Sequence, residues 1–115
     1  MLSDPGDAAH LWDMLDAARA IQGFIAGKKA EDYLQDRMLR GALERYLEII
    51  GEAARRVSEP YRTSHSETPW RRIIGLRNIL AHDYGEIKHE RIWELAAKEI
   101  TGLVLSLVAL VPSSE

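Results

Sequence analysis

Apolar residues recur along this chain at spacings of three and four, the period of a helix with one buried face. Between Asp7 and Ala26 the positions Leu11, Met14, Ala18, Ile21 and Ile25 form such a stripe, which Gly27-Lys28-Lys29 ends. A second helix is predicted over Ala30 to Val57, bent near Asp36, with Leu39, Leu43, Tyr46, Ile50, Ala53 and Val57 inward. Glu44, Glu48, Gly51 and Arg55 keep the same spacing on the opposite face. The segment from Ser58 to Pro69 is polar, contains two prolines and predicts a loop. Thr68 as N-cap and Pro69 at the first helical position then open a third helix, through about Asp83. Tyr84-Gly85-Glu86 is a break. A fourth helix is predicted from His89 to Val111, with Ile92, Ala96, Ile100, Leu103, Leu107 and Leu110 inward and Pro112 as its stop. No run alternates with period two, so no strand competes.

Four amphipathic helices with short connections predict an all-α, up-and-down four-helix bundle, with residues 1–115 as a single domain. The third helix departs from the pattern. Ile73, Leu76 and Leu80 make a core stripe, but Ile74, Ile79 and Ala81 project well away from it. A helix that is apolar nearly all round needs cover on most sides. In so short a bundle the extra cover is expected from a second copy, giving a homodimer with this helix at or near the interface.

Composition changes the picture in two respects. There is no cysteine among the 115 residues, which excludes disulfides and thiolate metal sites and fits a reducing cytoplasm. The beginning MLSDPGDAAH lacks a basic region followed by an apolar run, so no secretory signal is expected. Ile100 to Val111 is too short and too interrupted by Thr101 and Ser106 to span a bilayer, so no membrane partner is expected either. The net charge of −3 and pI near 5.8 argue against nucleic-acid binding by bulk electrostatics. A nucleic-acid role would have to rest on a local site.

The third helix offers one. Arg71, Gly75, Asn78 and His82 share a stripe opposite Ile73 and Leu80, and Asn78 and His82 stand one turn apart, within reach of one ligand. Arg77 projects nearer the core stripe, about 140° from His82 on an ideal helix. Its long side chain can reach round to the same cleft or pair with an acid such as Glu48 or Glu52. The helical wheel leaves both open. Histidine moves a proton near neutral pH, arginine offers a fixed fork of donors to a phosphate, and a carboxamide can orient either. Such a set can activate a ribose 2′-hydroxyl against its own phosphate without metal or other cofactor, a reaction open to RNA and not to DNA. The same residues, taken singly, also fit a solvated helix end whose histidine is favoured by the dipole.

Other candidates carry less. His10, His65 and His89 have no partner at metal-ligand spacing and read as surface histidines. Asp32 with Asp36, and Glu44 with Glu48, read as a solvated outer face. Trp70 and Trp93 fall at core positions, and Trp12 at a half-buried one.

The run Arg77-Asn78-Ile79-Leu80-Ala81-His82-Asp83-Tyr84 matches Arg-x4-His-x-Tyr, with a polar residue after the arginine. With Leu47-Glu48-Ile49-Ile50-Gly51-Glu52-Ala53-Ala54, Pro69-Trp70-Arg71-Arg72-Ile73-Ile74-Gly75-Leu76 and Glu86-Ile87-Lys88-His89-Glu90-Arg91-Ile92-Trp93, it resembles the HepT toxins of the HEPN superfamily. The likeness runs from the first helix to about Leu110. It implies a helical bundle that dimerises, with a composite cleft built from the motifs of both copies. It further implies Arg77 and His82 as ribonuclease residues, Asn78 assisting, and Tyr84 as the residue to which a minimal nucleotidyltransferase (MntA-like) antitoxin attaches AMP. Two rival readings are a non-catalytic nucleotide or RNA-binding module, and a structural partner of a nucleotidyltransferase.

Overall fold

The computed structural model describes residues 5–82 and 85–111, with Pro5, His82 and Glu86 described by their backbone alone. Every regular element among them is helical. Helix α1 (Pro5–Ile25) ends where Gly27 turns the chain at φ +74°, a left-handed conformation that costs glycine little. The second predicted helix is two. Helix α2 (Ala30–Gln35) and α3 (Arg37–Arg56) meet at Asp36, whose extended backbone interrupts the helix and whose carboxylate caps α3 by accepting the Leu39 N–H at 3.0 Å.

The segment predicted as a loop is partly helical. Helix α4 (Glu59–Ser64) opens on Ser58, whose Oγ accepts the Tyr61 N–H at 3.4 Å. Pro60 falls in the first turn, where a missing N–H leaves no hydrogen bond unmade. Buried Asp7 fixes this corner by accepting the Ser58 N–H at 2.7 Å and its hydroxyl at 2.6 Å. Pro60, taken as a loop marker, thus helps start a helix.

The third predicted helix is also divided, into α5 (Trp70–Ile74) and α6 (Leu76–His82), with Gly75 between them. It opens one residue late, Pro69 standing at the cap position and Trp70 N–H donating to Thr68 O at 2.8 Å. The Asn78 N–H donates to Gly75 O at 2.9 Å, a tight i→i+3 turn that re-aims α6 relative to α5. The last helical stretch begins at Gly85 rather than His89: α7 (Gly85–Glu94), a π-helical turn (Leu95–Glu99) and α8 (Ile100–Leu110). Pro112 lies outside the described residues.

The wide turn has a cause in the sequence. Buried Ile92, Ala96, Ile100 and Val104 repeat every four residues. On a regular α-helix such a row drifts about 40° at each step. One slower-wound turn keeps the row facing inward.

These segments form the expected up-and-down all-α bundle. Helix α1 packs on α3 and α8, while α5 and α6 lie along α3. Leu11, Met14, Ile21, Leu43, Ile50, Ile92 and Leu107 are fully enclosed. Ile25, Tyr46, Leu103 and Leu110 cover the rim and are half-buried. Trp70 is buried, Trp93 is half-buried against Tyr33 with ring centroids 5.6 Å apart, and Trp12 is 37% exposed, close to the half-buried position expected. No described helix is long and apolar enough to cross a membrane.

Gly51 corrects the assignment of an outer polar face. It is buried, and a Cβ there would stand 3.3 Å from Ile73 O and 3.5 Å from Arg77 Cγ. The missing side chain lets the α5–α6 corner approach the α3 backbone. Glu44 is likewise not free on that face, pairing with Lys88 of α7 at 3.3 Å.

Tyr33 is fully enclosed, and burial foremost, with Glu44 adding to it, pushes its hydroxyl up to about 12. A raised folded-state pKa contributes stability below pH 10 that is lost as pH climbs through about 12, on the order of 2 kcal/mol. Urea midpoints of wild type should therefore fall over that alkaline range more steeply than those of Tyr33→Phe. Parallel curves would mean that Tyr33 does not carry the effect.

Candidate functional site

Helix α6 carries three of the four residues singled out, and the approach permitted by Gly51 brings its first turn against α3. There the guanidinium of Arg77 reaches Glu52, Nη1 to Oε1 at 3.2 Å. Of the two routes open to Arg77, pairing with an acid is the one taken. Its side chain remains 52% exposed, so the pairing leaves it open to a ligand.

Glu52 serves two further arginines. Arg55 Nη2 lies 2.6 Å from Oε2, and Arg56 Nε lies 3.1 Å from the same oxygen. These partners, Arg55 foremost, hold the Glu52 carboxyl below the usual carboxylate range. Three guanidinium groups thus converge on one carboxylate. Within an overall charge of −3 the chain gathers arginines at one place, although the neighbouring cleft also carries Asp13, Glu48 and Glu52.

Beside this cluster runs a cleft of about 380 Å³ between α1, α3 and α6, lined among others by His10, Asp13, Arg45, Glu48, Arg56 and Arg77. Glu48 is occupied by Arg45 at 3.2 Å. Asn78 is exposed and faces a different concavity, of about 480 Å³, toward Ile79, Arg91 and Glu94. Arg71 lines a third hollow beside Arg62 and Trp70. The polar stripe predicted across the third helix is therefore not one surface, because the turn at Gly75 divides it. His82 closes α6 one turn beyond Asn78 and is described by backbone alone; Asp83 and Tyr84 lie outside the described residues.

The three other histidines are half-buried rather than on the open surface. His65 stacks on Tyr61 at 4.0 Å, with Nδ1 3.0 Å from Tyr61 O. His89 Nδ1 lies 3.4 Å from the Tyr33 hydroxyl, tying α7 to α2. His10 lines the cleft that Arg77 enters. No group of three metal-ligating side chains converges among the described residues.

What the sequence reading missed is the arginine cluster. Its signal was present in Glu52-x2-Arg55-Arg56, an acid with bases at i+3 and i+4 on one helix face.

Over residues 14–108 the chain matches the family described as Ribonuclease HepT-like, and it belongs to that family. Curated relatives share much of its length. It is 34% identical over 92 residues to the Methanocaldococcus jannaschii protein named Putative RNase MJ1380, covering 80% of this chain and 84% of that one. Identity is 40% over 79 residues with Putative RNase TTE0752 of Caldanaerobacter subterraneus subsp. tengcongensis, covering 69% and 70%. It is 32% over 94 residues with Probable ribonuclease HepT of Thermococcus cleftensis, covering 82% and 86%. No solved structure matches the chain.

Proposed function

We propose that this protein is the toxin of a toxin–antitoxin pair, a metal-independent endoribonuclease whose active site forms between two copies of the chain. In this reading Arg77 binds the phosphoryl group and stabilises the charge that builds on it. His82 takes the proton of the ribose 2′-hydroxyl, and Asn78 orients the reacting groups. The 2′-oxygen attacks phosphorus, the P–O5′ bond breaks, and the departing oxygen receives a proton. The observation that carries the reading is Arg77 itself, half exposed at a cationic cluster on the helix that also holds Asn78 and His82. The family match and the RNase names of the relatives support the ribonuclease part of this reading.

The second copy is favoured by what α6 leaves uncovered. Ile79 and Leu80 are only half-buried and Ala81 is exposed, while Arg77 and Asn78 face different concavities. A partner α6 packed on this surface would cover the apolar residues and could bring Asn78 or His82 of one copy to Arg77 of the other. Control is by a minimal nucleotidyltransferase: the Tyr84 oxygen attacks the α-phosphorus of ATP, pyrophosphate leaves, and the bound AMP adds negative charge that repels RNA.

The test is RNA cleavage by partner-free protein, shown by mass to be unmodified at Tyr84, in the presence of EDTA. Cleavage into fragments ending in cyclic phosphate is expected. Saturable RNA binding without products would replace the enzyme with a binding module. Neither binding nor cleavage would leave a structural partner of the transferase.

A further inference from the structure

The arginines around Glu52 do not use their donors equally. Arg55 commits an edge of its fork to the carboxylate, Nε at 3.4 Å and Nη2 at 2.6 Å. Arg56 gives only Nε, at 3.1 Å, and Arg77 only Nη1, at 3.2 Å. A guanidinium has five N–H donors in a plane, so each of these two keeps an unspent edge. Both side chains are more than half exposed, and both line the α1–α3–α6 cleft. They are anchored on opposite oxygens of one carboxylate, which holds the two groups near one another at the cleft.

We propose that Arg56 forms a second phosphate subsite, binding the RNA backbone phosphate next to the one held by Arg77, with Glu52 as the residue that positions both guanidinium groups. The proposal rests on the ribonuclease reading and extends it from the motif helix to the last turn of α3. Its ligand is a single-stranded ribose-phosphate backbone, and because a free arginine edge can also read guanine, equal losses on RNAs of different sequence are what mark a phosphate contact. Two guanidinium groups, each with an edge left over, suit two adjacent phosphates, and their shared anchor on Glu52 lowers the entropy lost on binding. Arg45, on the same cleft, is left outside the subsite because it has Glu48 to itself, whereas Arg56 and Arg77 share Glu52. Asp13 stands exposed on the α1 wall and confines the backbone to the α3 and α6 side.

The test uses His82→Ala protein, so that RNA stays intact, and measures binding of single-stranded RNAs of several sequences as salt is varied. Adding Arg56→Ala should weaken binding roughly tenfold for every sequence and lower the slope of log K against log salt by about 0.7, the value of one single-strand phosphate contact. Lys28→Ala, an equal change of charge on an exposed residue at the far end of α1, should leave both unchanged. Arg56→Glu should weaken binding further, and circular dichroism should show all variants folded. An unchanged slope in folded Arg56→Ala, or an equal loss in Lys28→Ala, overturns the subsite. If that happens while Arg77→Ala still lowers binding, the ribonuclease reading stands alone. No RNA binding by the His82→Ala parent, together with no cleavage by wild type, overturns both.

Discussion

Replacing His82 with alanine should lower the metal-free RNA cleavage rate by about 10²–10⁴, the usual contribution of a positioned proton-transfer group, with RNA affinity nearly unchanged. Arg77→Ala should lower both rate and affinity, because a phosphate ligand acts in the ground state and more strongly as charge builds in the transition state. The split between the two variants tests the assigned roles more sharply than loss of activity alone. Arg77→Lys should rescue affinity better than rate, since an ammonium supplies the charge without the fork. Equal rates in wild type and His82→Ala would remove the histidine from the chemistry.

A second large effect is expected at Gly51. A leucine there has no room beside Ile73 O and Arg77 Cγ, so α3 and the α5–α6 corner must part. Overpacking of this kind costs about 1–3 kcal/mol. Thermal unfolding should fall on the order of 10 °C in a chain of this size. Cleavage should fall beyond what stability explains, because Arg77 is carried away from Glu52 with its helix. Gly41→Ala is the contrasting change. Nothing lies within 4 Å of a Cβ at that exposed helical position, and the substitution should be neutral or slightly stabilising. A Gly51→Leu protein as stable as wild type would show that the close approach is not required.

The long apolar stripes were legible because periodicity reports directly which side of a helix is buried. Leu43, Ile50, Ile92 and Leu107 all occupy the places their spacing predicts. Less legible were the joints. Ser58 and Pro60 signal a polar loop by composition, yet a capping hydroxyl and a first-turn proline are also how a short helix begins. Gly75 sits in a row of helix formers and divides them through one tight turn. Gly51 keeps the spacing of Glu44 and Glu48 but is buried, because the neighbour that covers it arrives from more than twenty residues away. The position of Arg77 followed from that same approach, so a wheel drawn for one helix left two routes open. The cluster on Glu52 depends on two helices, only one of which showed its part in local spacing.

The π-helical turn keeps the two halves of the final helical rod in phase although one extra residue lies between them. Helix α8 presents its apolar row to α1, and the slower-wound turn sets the angle at which α7 continues that row toward α2 and α3. The rod is thus geared, with one residue more than a regular helix would use. Removing a single exposed residue from that turn, such as Ala97, should restore regular winding and leave α7 and α8 nearly in phase, since Ile92, Ala96, Ile100 and Val104 would then follow the four-three-four spacing of one α-helical face. Ile92 would stay on the core side and His89 beside Tyr33, and a deletion variant that unfolds would show that the wide turn is needed for more than its extra residue. The turn across Leu95–Glu99 is therefore where the bundle takes up a change of one residue in chain length, and relatives of this fold that lack the extra residue should carry the same core row on a regular helix.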